Sequence, residues 1–220
     1  MGYTRSGGLE RLSVVTSLAL WCVLAAGPNP TLDSVLHAVE NRYNHAQSLR
    51  LTFTQSYKAV KRADQVESGI LTLRKPGRMR WEYTAPAGKV YVSDGKDVYL
   101  YLPDAKRVEH SKFKESEDFR APLAFLLGKL NIYKEFKRFN IRQEGENRWV
   151  DAVPASENLP YSSVELLITP DFQIQRLRVI GQDKSVMDFS FEQEKLNIPV
   201  DPKTFSFRPP PGTEVVEGEQ

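Results

Sequence analysis

Few side chains in this sequence are spaced to act as acids, bases or metal ligands. The histidines are His37, His45 and His110, and no serine, cysteine or third ligand is spaced to complete a catalytic triad or a zinc site with them. The chain also lacks a glycine-rich phosphate loop, an HExxH motif and a GxSxG motif. We therefore expect no enzyme activity, no catalytic residue, no metal and no cofactor, with His37 and His45 on a helix surface.

Basic side chains cluster in one short stretch, at Arg74, Lys75, Arg78 and Arg80, among several aromatic residues. Interleaved cations and aromatic rings can bind nucleic acid. The whole chain carries a net charge of only +2, however, so charge alone attracts neither nucleic acid nor an acidic membrane surface. We therefore interpret these side chains as solvated strand positions and expect no nucleic-acid partner.

The elements that must position these residues are centred on Gly69 to Pro103. Aromatic and β-branched residues recur there at every second position between turn signals, which predicts four consecutive antiparallel strands. The alternation places Met79, Trp81 and Tyr83 on one face and the charged residues between them on the other. One face of this sheet is therefore apolar and the other is wet.

Three turn signals separate the strands of this central stretch. Pro76-Gly77 suits a type II turn, because proline presets φ and glycine supplies a positive φ. Asp94-Gly95 is a strong signal for a tight hairpin, and the connection at 85–88 is looser.

An amphipathic helix precedes the strands. Asn29 can cap it with Pro30 at the first helical position, and apolar residues from Leu32 to Ala46 recur at helical spacing over about 17 residues. Pro209 to Pro211 predict the end of strand pairing, because proline has no N–H to donate. Further strands are expected at Leu49 to Lys58, Arg107 to Phe113, Phe136 to Gln143, Arg148 to Val153, Ser163 to Thr169, Gln173 to Ile180 and Ser185 to Glu192.

One segment, from Ser116 to Leu130, breaks the strand pattern. Pro122 can begin a short helix whose apolar stripe is formed by four leucines, which include Leu123, Leu126 and Leu127. A helix of about nine residues is unstable alone in water, so the stripe must lie against other apolar groups. Periodicity leaves two interpretations open: a helix packed in the core at one end of the sheet, or a mobile lid.

The N-terminal stretch has the features of a targeting segment. Arg5 and Arg11 provide a positive region, an apolar run of about 15 residues follows, and small residues precede Pro28. That run is short for a membrane span. We predict a cleavable signal peptide at 1–27 and a single domain at 28–220. The only cysteine, Cys22, lies in the apolar run after the bulky Trp21, which argues against lipid attachment.

The ordered set of these features resembles the LolA family of periplasmic outer-membrane lipoprotein carriers. The resemblance rests on the amphipathic helix, on Phe53-Thr54-Gln55, on Gly69 before the basic Arg74-Lys75-Pro76 turn, and on Trp81. It continues through the motifs Val92 to Lys96, Ala121-Pro122-Leu123 and Phe205 to Pro210. It implies an α+β, mainly β fold: a half-open antiparallel barrel whose concave apolar face is covered by helices.

The resemblance also implies a function and partners. A LolA carrier binds the acyl chains of lipoproteins, receives them from an inner-membrane ABC transporter and delivers them to an outer-membrane acceptor. We expect a periplasmic monomer with no lipid of its own. Two alternatives stay open: a periplasmic protein of the same fold that binds another lipid or senses envelope stress, and a secreted hydrolase.

The apolar pocket and a lid latch are the candidate sites. In the family, an arginine before the turn proline bonds the lid backbone in the closed state; here Lys75 holds that position and Arg74 precedes it, so either can reach carbonyls near Leu126 and Leu127. The expected ligand-binding residues are Tyr43, Leu51, Phe53, Leu71, Leu73, Met79, Trp81, Tyr83, Leu123, Leu126 and Leu127.

Overall fold

The structure of the protein is a computed structural model, and it describes residues 1–2, 30–59, 63–113 and 130–217. The described helices are α1 (Leu32–His45), α2 (Ile132–Glu135) and a 3-10 helix (Pro202–Phe205). The strands are β1 (Ser48–Lys58), β2 (Gln65–Arg74), β3 (Arg78–Ala85), β4 (Ala87–Asp94), β5 (Asp97–Leu102), β6 (Arg107–Lys112), β7 (Phe136–Glu144), β8 (Asn147–Pro154), β9 (Tyr161–Ile168), β10 (Ile174–Gly181), β11 (Val186–Leu196) and β12 (Glu214–Glu217).

All twelve strands form one open sheet in the order β12-β6-β5-β4-β3-β2-β1-β11-β10-β9-β8-β7. The chain runs outward from β1 to β6, passes to the opposite edge at β7, and returns strand by strand until β11 pairs with β1. Every pairing is antiparallel except that of β12 with β6. This topology confirms the predicted mainly β fold, and the edge strands β7 and β12 do not pair with each other.

The central meander has the predicted strands and faces. Met79, Trp81 and Tyr83 are buried, whereas the charged positions between them are partly or fully exposed. The glycines of two turns, Gly77 and Gly95, adopt φ values of 68° and 97°, and these positive angles favour glycine.

Helix α1 is shorter than predicted and begins later. Thr31 is its N-cap, because the Thr31 hydroxyl accepts a hydrogen bond from the backbone N–H of Ser34 at 3.3 Å, and Pro30 precedes the cap. The prediction that Asn29 caps the helix with Pro30 at the first position is therefore wrong, and Asn29 itself lies outside the described residues. Helix α1 has 14 residues, and no helix within the described ranges is long and apolar enough to cross a membrane.

The C-terminal segment contains a strand that the sequence did not predict. After Pro209 to Pro211, strand pairing resumes at β12, whose four residues lie parallel to β6. Strand pairing already ends at Leu196, so the prolines do not end a strand and that prediction is wrong. The sequence did not predict β12 because four residues are too few to show a period-two pattern. The predicted signal peptide at 1–27 lies outside the described residues except for residues 1–2, and the predicted lid or plug segment at 116–130 lies outside them except for Leu130, which is buried in the apolar cluster.

Candidate binding site on the inner sheet face

Helix α1 packs on one face of the sheet, which we call the inner face. Its four buried side chains, Val35, Leu36, Val39 and Tyr43, are at most 3% exposed and belong to the same apolar cluster as the inward-facing residues of the strands. Helical spacing puts these four on one side of α1. The helix therefore shields apolar sheet surface that water would otherwise contact.

Eight of the predicted ligand-binding residues lie together in this apolar cluster, and none is more than 4% exposed. The remaining three, Leu123, Leu126 and Leu127, lie outside the described residues. The eight that the structure brings together are Tyr43, Leu51, Phe53, Leu71, Leu73, Met79, Trp81 and Tyr83. Their role in ligand binding stays a prediction.

The aromatic side chains of the inner face are grouped around Gly69. Gly69 lies between Phe53 on β1 and Tyr83 on β3, and the two rings meet edge-on across it at a centroid distance of 5.2 Å. A Cβ at residue 69 would lie 2.1 Å from the carbonyl oxygen of Glu82, so no larger residue fits there. The missing side chain lets the rings close over the backbone.

Two small cavities lie beside α1 on the inner face. One lies toward β7–β10 and is lined by apolar side chains that include Leu36, Phe136 and Val150; the other lies near Tyr43 and Lys75. Each has a volume of about 10 Å³, which is about the minimum needed for one water molecule. Neither of these two cavities is large enough for a long apolar ligand unless α1 moves.

Half of the inner face was not included in the predicted site. Strands β7 to β10 bring apolar residues to the cavity under α1, although the sequence predicted these strands without assigning their faces. Alternation would have identified the buried face of two of these strands, β9 and β10, because apolar residues recur at every second position around Val164 and Leu177. The missed residues are Leu36, Val39, Phe136, Val150, Leu166, Ile174 and Phe189.

Lys75 and Arg74 leave the end of β2 in different directions. The Lys75 Nζ donates to the carbonyl oxygen of Tyr43 at 2.7 Å and lies 3.5 Å from that of Asn44, both in the last turn of α1. The Arg74 guanidinium donates to the carbonyl of Val200 at 3.0 Å. A latch to carbonyls near Leu126 and Leu127 stays a prediction; within the described part of the chain, Lys75 holds α1.

Burial perturbs the Lys75 ammonium and the Tyr43 phenol. Partial burial lowers the pKa of Lys75, because the charged form loses hydration. The pKa of Tyr43 is raised, mainly by burial and also by the nearby Glu194 carboxylate. Tyr43 therefore stays a hydrogen-bond donor, and its Oη donates to Glu194 Oε2 at 2.8 Å while it accepts from the N–H of Ile174 at 2.9 Å.

Glu194 is a functional-site residue that sequence reasoning missed. Strand β11 has one more residue than β1 between the pairs Thr52–Glu192 and Arg50–Lys195, and Gln193 has a φ of 54°. This bulge shifts the alternation, so the Glu194 side chain turns inward and is only 2% exposed. Its Oε1 accepts from the Arg42 guanidinium at 2.6 Å, which provides the opposite charge.

The histidines of α1 lie where the sequence placed them. His37 and His45 are both exposed, and each ring contacts a group of the same helix: the carboxylate of Glu40 at 3.3 Å and the carbonyl of Asn41 at 2.8 Å, respectively. Neither ring points into the inner-face cluster.

The fold and the site define a class of protein: a mainly β chain with one open sheet, whose apolar inner face is covered by a helix. The sequence profile of the family described as outer membrane lipoprotein carrier protein LolA matches residues 44–208. The chain therefore belongs to the LolA family.

Relatives in sequence agree with this assignment, and one solved structure shares the fold. An outer-membrane lipoprotein carrier protein of Chromobacterium violaceum is 26% identical over 208 residues, covering 94% of this chain and 97% of the relative. A protein of the same name from Proteus mirabilis is 29% identical over 206 residues, with 93% and 96% covered. An uncharacterized conserved protein from Thermus thermophilus shares the fold with a TM-score of 0.52 at 15% identity, covering 84% of this chain and 98% of the other.

Proposed function

We propose that this protein is a periplasmic carrier that binds the acyl chains of lipoproteins on its inner sheet face and moves them from the inner to the outer membrane. The observation that carries the proposal is the continuous apolar inner face, on which α1 and strands from both halves of the sheet contribute to one cluster. Family membership and relatives named as lipoprotein carriers support the same function.

The energetics of an acyl chain in water explain why a carrier is needed. Burying one methylene group is worth roughly 0.8 kcal/mol, so a chain of about fifteen methylenes is stabilised by on the order of 12 kcal/mol when sheltered. Such a chain does not cross an aqueous compartment unaided. An inner face of comparable apolar character can replace the membrane during transit.

The closed cluster represents the unloaded carrier. Because its cavities are only about 10 Å³, loading requires α1 to separate from the sheet and expose side chains such as Leu36 and Trp81 to the ligand. The polar contacts of Lys75 and Tyr43 at the C-terminal end of α1 would stabilise the closed position of the helix. The acyl chain then replaces helix contacts with its own.

The two partners follow from this route. An inner-membrane ABC transporter would release the lipoprotein to the open carrier, and an outer-membrane acceptor would take it. The signal peptide at 1–27 would export the chain, and a monomer without catalytic activity suffices for the task.

A charge placed on the inner face tests the function. We expect Met79→Glu to abolish binding of a fluorescent fatty-acyl probe, because Met79 is 2% exposed and a carboxylate there must be desolvated together with the ligand. Thr84→Glu is the matched control, since Thr84 lies on the same strand but is exposed on the other face, and it should bind the probe normally.

Folding is checked by circular dichroism and thermal unfolding of both variants. Native mass spectrometry of protein purified from its own periplasm identifies the bound lipid independently. A folded Met79→Glu variant that binds the probe like the wild type would exclude the inner face as the binding site.

A further inference from the structure

The indole N–H of Trp81 has no hydrogen-bond partner although the side chain is 0% exposed. A buried tryptophan N–H normally donates to some acceptor, because an unpaired polar group loses its hydration without compensation. Two other buried side chains of the described residues also have an unpaired atom, Gln55 Oε1 and Asp151 Oδ1, but each is an acceptor on a side chain whose other polar atom is bonded. Trp81 is thus the unpaired donor.

The described neighbours of Trp81 are mostly apolar or aromatic. Its ring meets Phe53 edge-on at a centroid distance of 4.7 Å and lies 5.7 Å from Phe189, and its neighbours across the strands are Leu71 and Tyr91. The second tryptophan of the described residues, Trp149, differs, because its N–H donates to the Glu144 carboxylate at 2.7 Å. Trp81 therefore offers a buried donor that a ligand on the inner face can satisfy.

We propose that the Trp81 indole N–H donates a hydrogen bond to the carbonyl oxygen of a bound acyl ester or acyl amide. This inference rests on the proposed function and narrows its ligand class. Methylene groups offer no acceptor, whereas the linked end of an acyl chain offers a neutral carbonyl. A free fatty acid would instead bring a carboxylate into an apolar site, where loss of hydration disfavours a charge. The site therefore selects acyl chains that are linked through an ester or an amide.

The test compares ligands that differ only in their polar end. Methyl palmitate, N-methylpalmitamide, heptadecane and palmitate are each used to displace a fluorescent fatty-acyl probe from the full-length protein. In Trp81→Phe, we expect the affinity for the ester and for the amide, each divided by the affinity for heptadecane, to fall about threefold to tenfold relative to wild type, as expected for one hydrogen bond. Trp149→Phe is the matched control and should leave all four affinities unchanged.

A measurement on the wild-type protein avoids any folding defect of the variant. In nitrogen-15 NMR spectra, the indole proton of Trp81 should shift downfield when methyl palmitate or N-methylpalmitamide saturates the protein, and less so with heptadecane. Equal shifts with the ester and the hydrocarbon, or equal losses of affinity in Trp81→Phe, would overturn the inference while the carrier function stands. A wild-type protein that binds none of the ligands would overturn the proposed function itself.

Discussion

Lys75 holds the C-terminal end of α1 through backbone carbonyls, which carry the negative end of the helix dipole. This contact stabilises the closed form of the inner face without adding apolar area to the ligand site. A single cation therefore affects the position of the cover more than the strength of ligand binding.

Removing the Lys75 ammonium should slow the release of the ligand. We expect Lys75→Ala to lower the unfolding free energy by about 1–2 kcal/mol, to raise acyl affinity by no more than the corresponding fold-change and to reduce transfer to an acceptor several-fold, because the closed form loses a charge-assisted hydrogen bond. A transfer assay with purified acceptor measures the rate. Arg74→Ala is the control, since Arg74 contacts Val200 instead of α1. Wild-type transfer by both variants and by the double variant would remove Lys75 and Arg74 from the release step.

Tyr161 provides a test of burial by pH. Burial, with a smaller contribution from Glu135, raises the pKa of Tyr161 to about 12. The folded state therefore holds this proton more tightly than the unfolded chain, whose tyrosine pKa is about 10. Its stabilisation is complete below about pH 10 and is lost as the pH rises toward 12.

We expect the free energy of unfolding to fall less steeply above about pH 10 in Tyr161→Phe than in the wild type, by at most about 1.4 kcal/mol per pH unit. Urea unfolding at a series of alkaline pH values gives both slopes, and the shared titration of other groups cancels in their difference. Identical slopes would show that the phenol of Tyr161 is hydrated in the folded protein.

At the scale of elements, the proposed loading step depends on movement of α1 away from the sheet. Its first turn depends on the Thr31 cap, which is exposed and is not part of the apolar cluster. Loss of an N-cap hydroxyl costs about 1 kcal/mol of helix stability. Because Thr31 is not one of the predicted ligand-binding residues, a substitution there changes the stability of α1 without changing the groups that contact the ligand.

We expect Thr31→Ala to lower the unfolding free energy by about 1 kcal/mol and to speed the loading of a fluorescent fatty-acyl probe, because the closed form is weakened relative to the open form. Stopped-flow fluorescence measures the loading rate. Thr31→Ser keeps the hydroxyl and should behave like the wild type. If Thr31→Ala is less stable but loads at the wild-type rate, α1 is not the element that opens.

The sequence predicted those elements whose local pattern agrees with the final packing. Strand β3 alternates cleanly and has turn residues at both ends, so its buried face around Trp81 followed directly from the period of two. The bulge that turns Glu194 inward could not be predicted, because one extra residue reverses the alternation without any local marker. The apolar residues that β7 to β10 bring under α1 could not be assigned from the sequence, because their position depends on long-range strand pairing. The alternation within each strand does not specify which face of the sheet α1 covers.

At the scale of the whole molecule, β1 and β11 pair in the middle of the sheet, and β12 and β7 form its two edges. Strands β1 and β11 join the two halves, with Phe53 opposite Phe191 at this junction. The inner face therefore continues across the junction, so a ligand can contact both halves. An acyl chain bound there stays sheltered from water, and it reaches the other membrane only if the protein is free to diffuse with it.

The carrier function therefore requires the protein itself to be unattached to either membrane. We expect cell fractionation to recover the mature chain in the soluble periplasmic fraction, with cleavage near the end of 1–27 and no lipid at its N-terminus, because an anchored carrier could not travel between membranes. N-terminal sequencing and intact mass measurement of that fraction decide the point. Cys22→Ser is the matched control and should leave export and fractionation unchanged. A mature chain that begins at an acylated Cys22 would contradict the shuttle, since the cost of extracting its own lipid from the membrane is comparable to the roughly 12 kcal/mol that shelters a cargo chain.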